Sequence, residues 1–298
     1  MAARSAPAQV PFVMAAVDGS ERDATVVRWA TAEAGYRELP VRLVHVVDPP
    51  GLPPYDPDLS SQVLADYAEQ ARAVLSRARE GIARQPVTVP VGEVARTGGV
   101  VPTLLAEAAG AAMVVLGSGQ RISQHHVALG SRVTHVAAHA PCPVLVVRDT
   151  LARYFTGAAT GQVVVGVDGS PASQDALGFA FEEASWRGLP LTAVHAWQET
   201  VTDRVVRGLD PDQHRQVAGR ILADALAGWP EKYPDVPVTE RVVWDRPAHA
   251  LLDAAAGAVL LVVAAQGRGR FPGMHLGSVS QTVLRHAPAS VAVVRSRG

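Results

Sequence analysis

Val163-Val164-Val165-Gly166-Val167-Asp168-Gly169-Ser170 is an apolar run closed by Asp-Gly-Ser, and its ending stands 150 positions earlier as Val17-Asp18-Gly19-Ser20. The echo continues along the chain. Leu39-Pro40 with Val44-His45 recurs as Leu189-Pro190 with Val194-His195, Leu129-Gly130-Ser131 as Leu276-Gly277-Ser278, and Val146-Val147-Arg148 as Val293-Val294-Arg295. A period this long exceeds the roughly 20–50 residues of stacked solenoid repeats, so each copy is a whole domain with its own core. Domains are expected at 1–150 and 160–298, with a linker at about 151–159, where the periodic apolar pattern lapses.

Within a copy, short apolar runs alternate with longer amphipathic ones, which is the pattern of βαβ units and a parallel sheet. Strands are expected at 12–17, 41–47, 87–91, 113–117 and 144–148, and in the second copy at 163–167, 191–197, 238–243, 259–264 and 290–295. Helices are expected at 23–36, 58–84, 101–109 and 131–138, then at 173–187, 213–229, 248–256 and 278–285. Uniformly apolar strands are covered on both faces, so the fold class is α/β: two tandem, doubly wound, Rossmann-like domains, each built on a five-stranded parallel sheet.

Composition narrows the function classes. Of 298 residues, Lys plus Arg (27) nearly cancels Asp plus Glu (28), so no net field draws the chain to nucleic acid or to a membrane. Met1 to Val10 carries no apolar signal core, and the longest apolar run, Ala254 to Ala265, is shorter than the roughly 18 residues that suggest a spanning helix. A cytoplasmic protein is expected. Cys142 is the only cysteine and lies between Pro141 and Pro143, which reads as a buried, inert thiol.

In an open parallel sheet, ligands bind beyond the carboxyl ends of the strands. Two features stand there in each copy. The first is the Asp closing strand one, Asp18 and Asp168, whose simplest role is to cap the following helix. The second is the segment after strand four, which runs from Gly117 through Gly119, Gln120 and Arg121 to Gly130-Ser131, and from Ala264 through Gly267, Arg268, Gly269 and Arg270 to Gly277-Ser278. Glycines there admit a phosphate to the backbone, and Gly-Ser opening a helix turns free N–H groups toward an anion. No Gly-Lys-Ser/Thr occurs, so neither loop is a Walker motif.

The segment 267–280, followed by His286-Ala287-Pro288 and Val291-Ala292-Val293-Val294-Arg295, resembles the universal stress protein family, and the duplicated arrangement is similar to the tandem stress proteins of actinobacteria. The resemblance implies ATP, one per domain with unequal affinity, and any magnesium carried by the nucleotide rather than by protein side chains. The phosphate motif of ATP-binding members is Gly, two residues, Gly, nine residues, then Gly-Ser or Gly-Thr. Copy one departs from it at Gln120 and copy two at Ala264. A Cβ is costly where the backbone has positive φ or abuts a phosphate, and the second copy, with only an alanine to accommodate, is expected to bind better. The resemblance further implies that Asp18 and Asp168, with Ala16 and Gly166 beside them, meet the adenosine. Val46 and Ala196 meet adenine through their backbones. Ser131 and Ser278 meet phosphate, with Ser123, Arg132, Val279 and Ser280 completing the loops. The family pairs domains through the last strand, so a pseudo-dimer within the chain and a homodimer of chains are expected, together with a regulatory protein partner.

His45 and His195 each end an apolar run and read as satisfied core histidines, while His125, His126 and His275 read as loop residues. Pro49-Pro50-Gly51-Leu52-Pro53-Pro54 reads as the loop into the second helix. No carboxylate pair, Ser/His or Cys/His arrangement or metal-ligand spacing repeats in both copies, so the chain reads as a binding protein and not an enzyme. Two other readings stay open: a slow ATPase or nucleotidyl-transfer enzyme on the same fold, and a nucleotide-free scaffold.

Overall fold

A computed structural model of the chain describes residues 10–49, 57–119, 130–148, 161–197, 211–268 and 275–296. The seam at 149–160 and most of the proline stretch lie outside these residues, as do Gln120, Arg121, Ser123, His125, His126, Gly269 and Arg270. The chain divides into two compact units: Met1–Gly117 with Ala140–Cys142, and Ser118–His139 with Pro143–Gly298. The last helix and last strand of the first sequence copy therefore pack with the second unit.

The first unit has four parallel strands in the order β3-β2-β1-β4: β1 Phe12–Ala16, β2 Val41–Val47, β3 Val91–Thr97 and β4 Ala111–Gly117. Helices α1 (Asp23–Arg37), α2 (Pro57–Ala83) and α3 (Val100–Glu107) connect them. Val13, Met14 and Ala15 in the centre of β1 are fully buried, as expected for a strand covered on both faces.

The third strand is the one element displaced from its expected place. Pro90 lacks an N–H, yet its carbonyl accepts from the Val41 N–H at 2.8 Å, and the parallel ladder starts only at Val91 and runs to Thr97. Val87 is 40% exposed. The real strand, Val91-Gly92-Glu93-Val94-Ala95-Arg96-Thr97, is polar because it lies half in solvent at the edge, so a search for apolar runs passes over it.

The second unit contains α4 (Ser131–His139), β5 (Val144–Val147), β6 (Val163–Gly166), α5 (Pro171–Arg187) and β7 (Leu191–Trp197). It continues through α6 (Pro211–Leu226), α7 (Trp229–Lys232), β8 (Val238–Trp244), α8 (Pro247–Ala254), β9 (Leu260–Ala264), α9 (Ser278–His286) and β10 (Ser290–Val294). One helix was expected over 213–229; Gly228, at φ 81°, breaks it and lets α7 start as a separate turn. Strands β10-β9-β6-β7-β8 are parallel, and β5 joins the β10 edge antiparallel through Val291↔Val146, Ala292↔Leu145 and Val293↔Val144. The last strands of the two copies thus pair, as the resemblance implied.

The ends of this strand pair are tied by reciprocal arginines. Arg148, just past β5, is buried and its guanidinium donates to the Leu284 carbonyl in the last turn of α9. Arg295, just past β10, donates to the Ala138 carbonyl in the last turn of α4. Carbonyls in a last helical turn have no intrahelical donor, and the helix dipole places partial negative charge there, so both arginines cap a helix belonging to the other copy. Beside them the His139 and His275 rings meet at 4.4 Å.

Two cap positions differ in a way that yields a stability prediction. Helix α5 starts on Ser170, whose hydroxyl accepts from the Ser173 N–H at 3.2 Å, has Pro171 as its first residue, and ends on Gly188 at φ 60°. Helix α1 ends at the corresponding place on Glu38, at φ 54°, the one non-glycine with positive φ among the described residues. Glu38→Gly is expected to stabilise the protein by about 0.5–1 kcal/mol, because only glycine enters the left-handed region without steric cost. An upward shift of the denaturant midpoint with unchanged slope would show it.

No helix among the described residues is long and apolar enough to cross a membrane.

Candidate functional site

The second-copy site is built around the corner where β6 gives way to α5. Gly169 turns that corner at φ 76°, which frees Asp168 to point across the carboxyl ends of the strands. One carboxylate oxygen of Asp168 accepts from the Ser170 N–H at 2.9 Å, and the other accepts from the Arg268 N–H at 2.9 Å. The aspartate therefore closes its own turn and latches the loop that follows β9, while the helix cap expected of it falls to Ser170. His195 supports the corner from below: buried, its Nδ1 donates to the Val167 carbonyl at 2.7 Å. This is the structural role expected of that histidine.

The latch explains Gly267. A Cβ at this position would lie 2.5 Å from Asp168 Oδ2, although its backbone is not in the left-handed region. Glycine is needed here for close approach to a carboxylate, a reason the motif alone does not reveal. Ala264, the departure from the family motif, sits in regular parallel pairing with Val294, and its carbonyl accepts from the Ser280 hydroxyl at 2.7 Å. Its backbone has no positive φ, so the methyl group is accommodated without the strain anticipated for a lost glycine.

These groups line a cavity of about 380 Å³, within the 300–1,000 Å³ typical of small-molecule sites. Ten residues singled out from sequence meet there: Gly166, Asp168, Ala196, Ala264, Gly267, Arg268, Gly277, Ser278, Val279 and Ser280. Gly277 caps α9 with its N–H bonded to the Ala265 carbonyl at 2.8 Å, and no side chain caps the helix. The first turn of α9, Ser278-Val279-Ser280, thus presents a positive dipole end to the cavity. Trp197, Pro247, Leu251 and Ser173 also line it and were not anticipated. The signal for Trp197 was present in the repeat, since the matching residue of copy one is Val47.

Burial alone would raise the Asp168 pKa. Hydrogen bonds from Ser170, from the Arg268 backbone and from Ser173 outweigh burial and hold the carboxyl below its usual 3.8. A folded-state pKa below the unfolded value means that this carboxylate contributes stability above the unfolded pKa. That contribution is lost as pH falls through the folded pKa. Asp168→Asn is accordingly expected to flatten the acid limb of the stability profile below about pH 4, measured by denaturant unfolding across pH.

Copy one arranges its corner differently. Asp18 is exposed and accepts from the Ser20 N–H at 3.0 Å, but here a second aspartate intervenes: Asp23 accepts from the Asp18 and Gly19 N–H groups at 3.1 and 2.8 Å. Burial raises the Asp23 pKa, with those two N–H groups only partly offsetting it, whereas the equivalent residue of copy two is the uncharged Ser173. His45 repeats the support, its Nδ1 donating to the Val17 carbonyl at 2.8 Å. In the first unit, Ala16 and Val46 are half-buried at the carboxyl ends of β1 and β2, and Gly117 closes β4. Gly119 (φ 82°), Gly130, Ser131 and the exposed Arg132 belong to the second unit.

The profile of the universal stress protein family matches the chain twice, over residues 12–148 and 160–295. A universal stress protein of Mycobacterium tuberculosis strain H37Rv is 37% identical over 302 residues, covering 98% of this chain and 99% of its own. One from Mycolicibacterium smegmatis is 38% identical over 290 residues, covering 96% and 97%. Among solved structures, a universal stress protein from Archaeoglobus fulgidus superposes with a TM-score of 0.70 at 20% identity, covering 97% of this chain and all of its own, a likeness of fold.

Proposed function

The chain belongs to the universal stress protein family as two such domains in tandem, and from that premise we propose that it is an ATP-binding regulator whose second copy holds the tighter site. The observation that carries this reading is the Asp168 latch. It holds Gly267 and Arg268, at the start of the loop after β9, on a cavity with a polar carboxylate on one wall and the open N-terminus of α9 on another. Such a cavity suits a nucleoside at the Asp168 side and a polyphosphate at Gly277-Ser278, where N–H groups and the helix dipole neutralise anionic oxygens. Arg268 stands on the Asp168 side, its backbone N–H on the carboxylate and its guanidinium against Gly169, and magnesium would arrive with the triphosphate.

The reading is of a binding protein that acts through conformation or assembly in the cytoplasm, as a homodimer, upon a protein partner. Heat-denaturing the purified protein and chromatographing the supernatant tests it, with calorimetric titration of ATP into nucleotide-free protein as the second arm. Adenine nucleotide in the supernatant and saturable ATP binding are expected; the absence of both would overturn the reading. Phosphate release scaling with protein in the same samples would turn it into a slow ATPase. A monomeric mass by sedimentation would remove the homodimer.

A further inference from the structure

Resting on the nucleotide reading of the same cavity, we propose that Trp197 is the stacking wall for the base, a recognition element that the first copy lacks. Trp197 is the last residue of β7, two strands along the sheet from β9, which leads to α9, and lines the cavity next to Ala196. Its indole is held on two sides. The Trp244 ring meets it edge-on at 4.2 Å with an interplanar angle of 68°, and the His214 ring from α6 lies tilted at 5.0 Å. The register of the sheet produces the first contact, because Trp197 and Trp244 are direct partners across the parallel pair β7–β8.

In copy one the same register pairs Val47 with Thr97. One copy therefore ends its second and third strands on a small aliphatic and a hydroxyl, and the other ends them on two indoles. Trp244 is 49% exposed, with its ring edge-on against Trp197. Bracing Trp197 is what the geometry shows it doing. A ring fixed by its neighbours loses little freedom when a flat ligand lies against it, which is the condition under which stacking contributes most to affinity. The ligand class that fits is a planar heteroaromatic base carrying an anionic tail: ring against Trp197, tail toward Gly277-Ser278.

The test separates base from tail. In full-length protein carrying Gly130→Asp, which sets a carboxylate at the start of α4 to silence the first copy, ATP and inorganic tripolyphosphate are titrated against Trp197, Trp197→Val and Trp197→Phe. Trp197→Val is expected to weaken ATP about tenfold, the usual size of one base–aromatic stack, and to leave tripolyphosphate within about twofold. Trp197→Phe is expected to restore most of the ATP affinity. Unchanged ATP affinity in Trp197→Val would overturn the stacking wall while the nucleotide reading stands, and so would an equal loss of ATP and tripolyphosphate, which marks structural damage. Failure of the parent chain to bind ATP would overturn the nucleotide reading and the stacking wall with it.

Discussion

Gly267→Ala is expected to lower the ATP affinity of the second copy about a hundredfold, a loss on the scale of one hydrogen bond to a charged group, about 1.5–3 kcal/mol. The added methyl would stand 2.5 Å from Asp168 Oδ2. That oxygen cannot swing aside freely, because the Arg268 N–H binds it and the Ser170 N–H binds its partner oxygen. Either the carboxylate gives up its latch or the loop after β9 retreats from the cavity. Gly277→Ala serves as the contrast, for its methyl would meet nothing closer than the Ala265 carbonyl at 3.6 Å. Its stability should stay within about 0.5 kcal/mol of the parent, while its bulk at the α9 N-terminus weakens ATP. Calorimetric titration reads the affinities and denaturant midpoints read the stabilities. Parent-like ATP binding by Gly267→Ala would sink the latch as an organiser of the site.

Arg148→Glu should cost about 4 kcal/mol or more of stability, whereas Arg148→Met should cost no more than about 1 kcal/mol. The asymmetry follows from where the guanidinium lies. It is 5% exposed, donates to the Leu284 carbonyl, and has no carboxylate partner among the described residues. Burial pushes its pKa down, a sign that the charge is held against a desolvation cost. Methionine keeps the apolar stem in place and abolishes that cost, offsetting the lost bond to Leu284. Glutamate instead buries a carboxylate against the carbonyl end of α9, where the dipole repels it. Denaturant unfolding followed by far-ultraviolet circular dichroism distinguishes the two. A glutamate variant as stable as the methionine variant would refute the capping account.

Much of this architecture was legible in the residues because the physics was local. Val163-Val164-Val165 can only be a strand covered on both faces, and Gly277-Ser278 before an amphipathic run can only open a helix. With the repeat setting the frame, those two facts locate the crevice with Asp168, Ala264, Gly267, Arg268, Gly277 and Ser278 on it, and the family resemblance adds Gly166, Ala196, Val279 and Ser280. What escaped was settled by partners distant in the chain. β3 is polar because solvent covers half of it. Gly267 is glycine because of a carboxylate 99 positions earlier. The helix expected over 213–229 breaks at Gly228, whose positive φ no pattern of apolar spacing reveals. Trp197 looked like one more apolar residue ending a strand until its register partner proved to be Trp244. The division of compact units was equally invisible, since α4 and β5 belong by sequence to one copy and by packing to the other unit.

The antiparallel ladder between β5 and β10 has a consequence for dilution. Val144-Leu145-Val146-Val147 is entirely buried, and in a chain with only one copy its outer backbone groups would face solvent as a short apolar template open to any passing strand. A separate partner could cover that template only at concentrations above its dissociation constant. Here the covering strand is tethered to the same polypeptide, so its effective concentration is set by the connecting segment and does not fall with the expression level of the gene. The tandem chain keeps its strand ends paired when only a few copies are present in the cell.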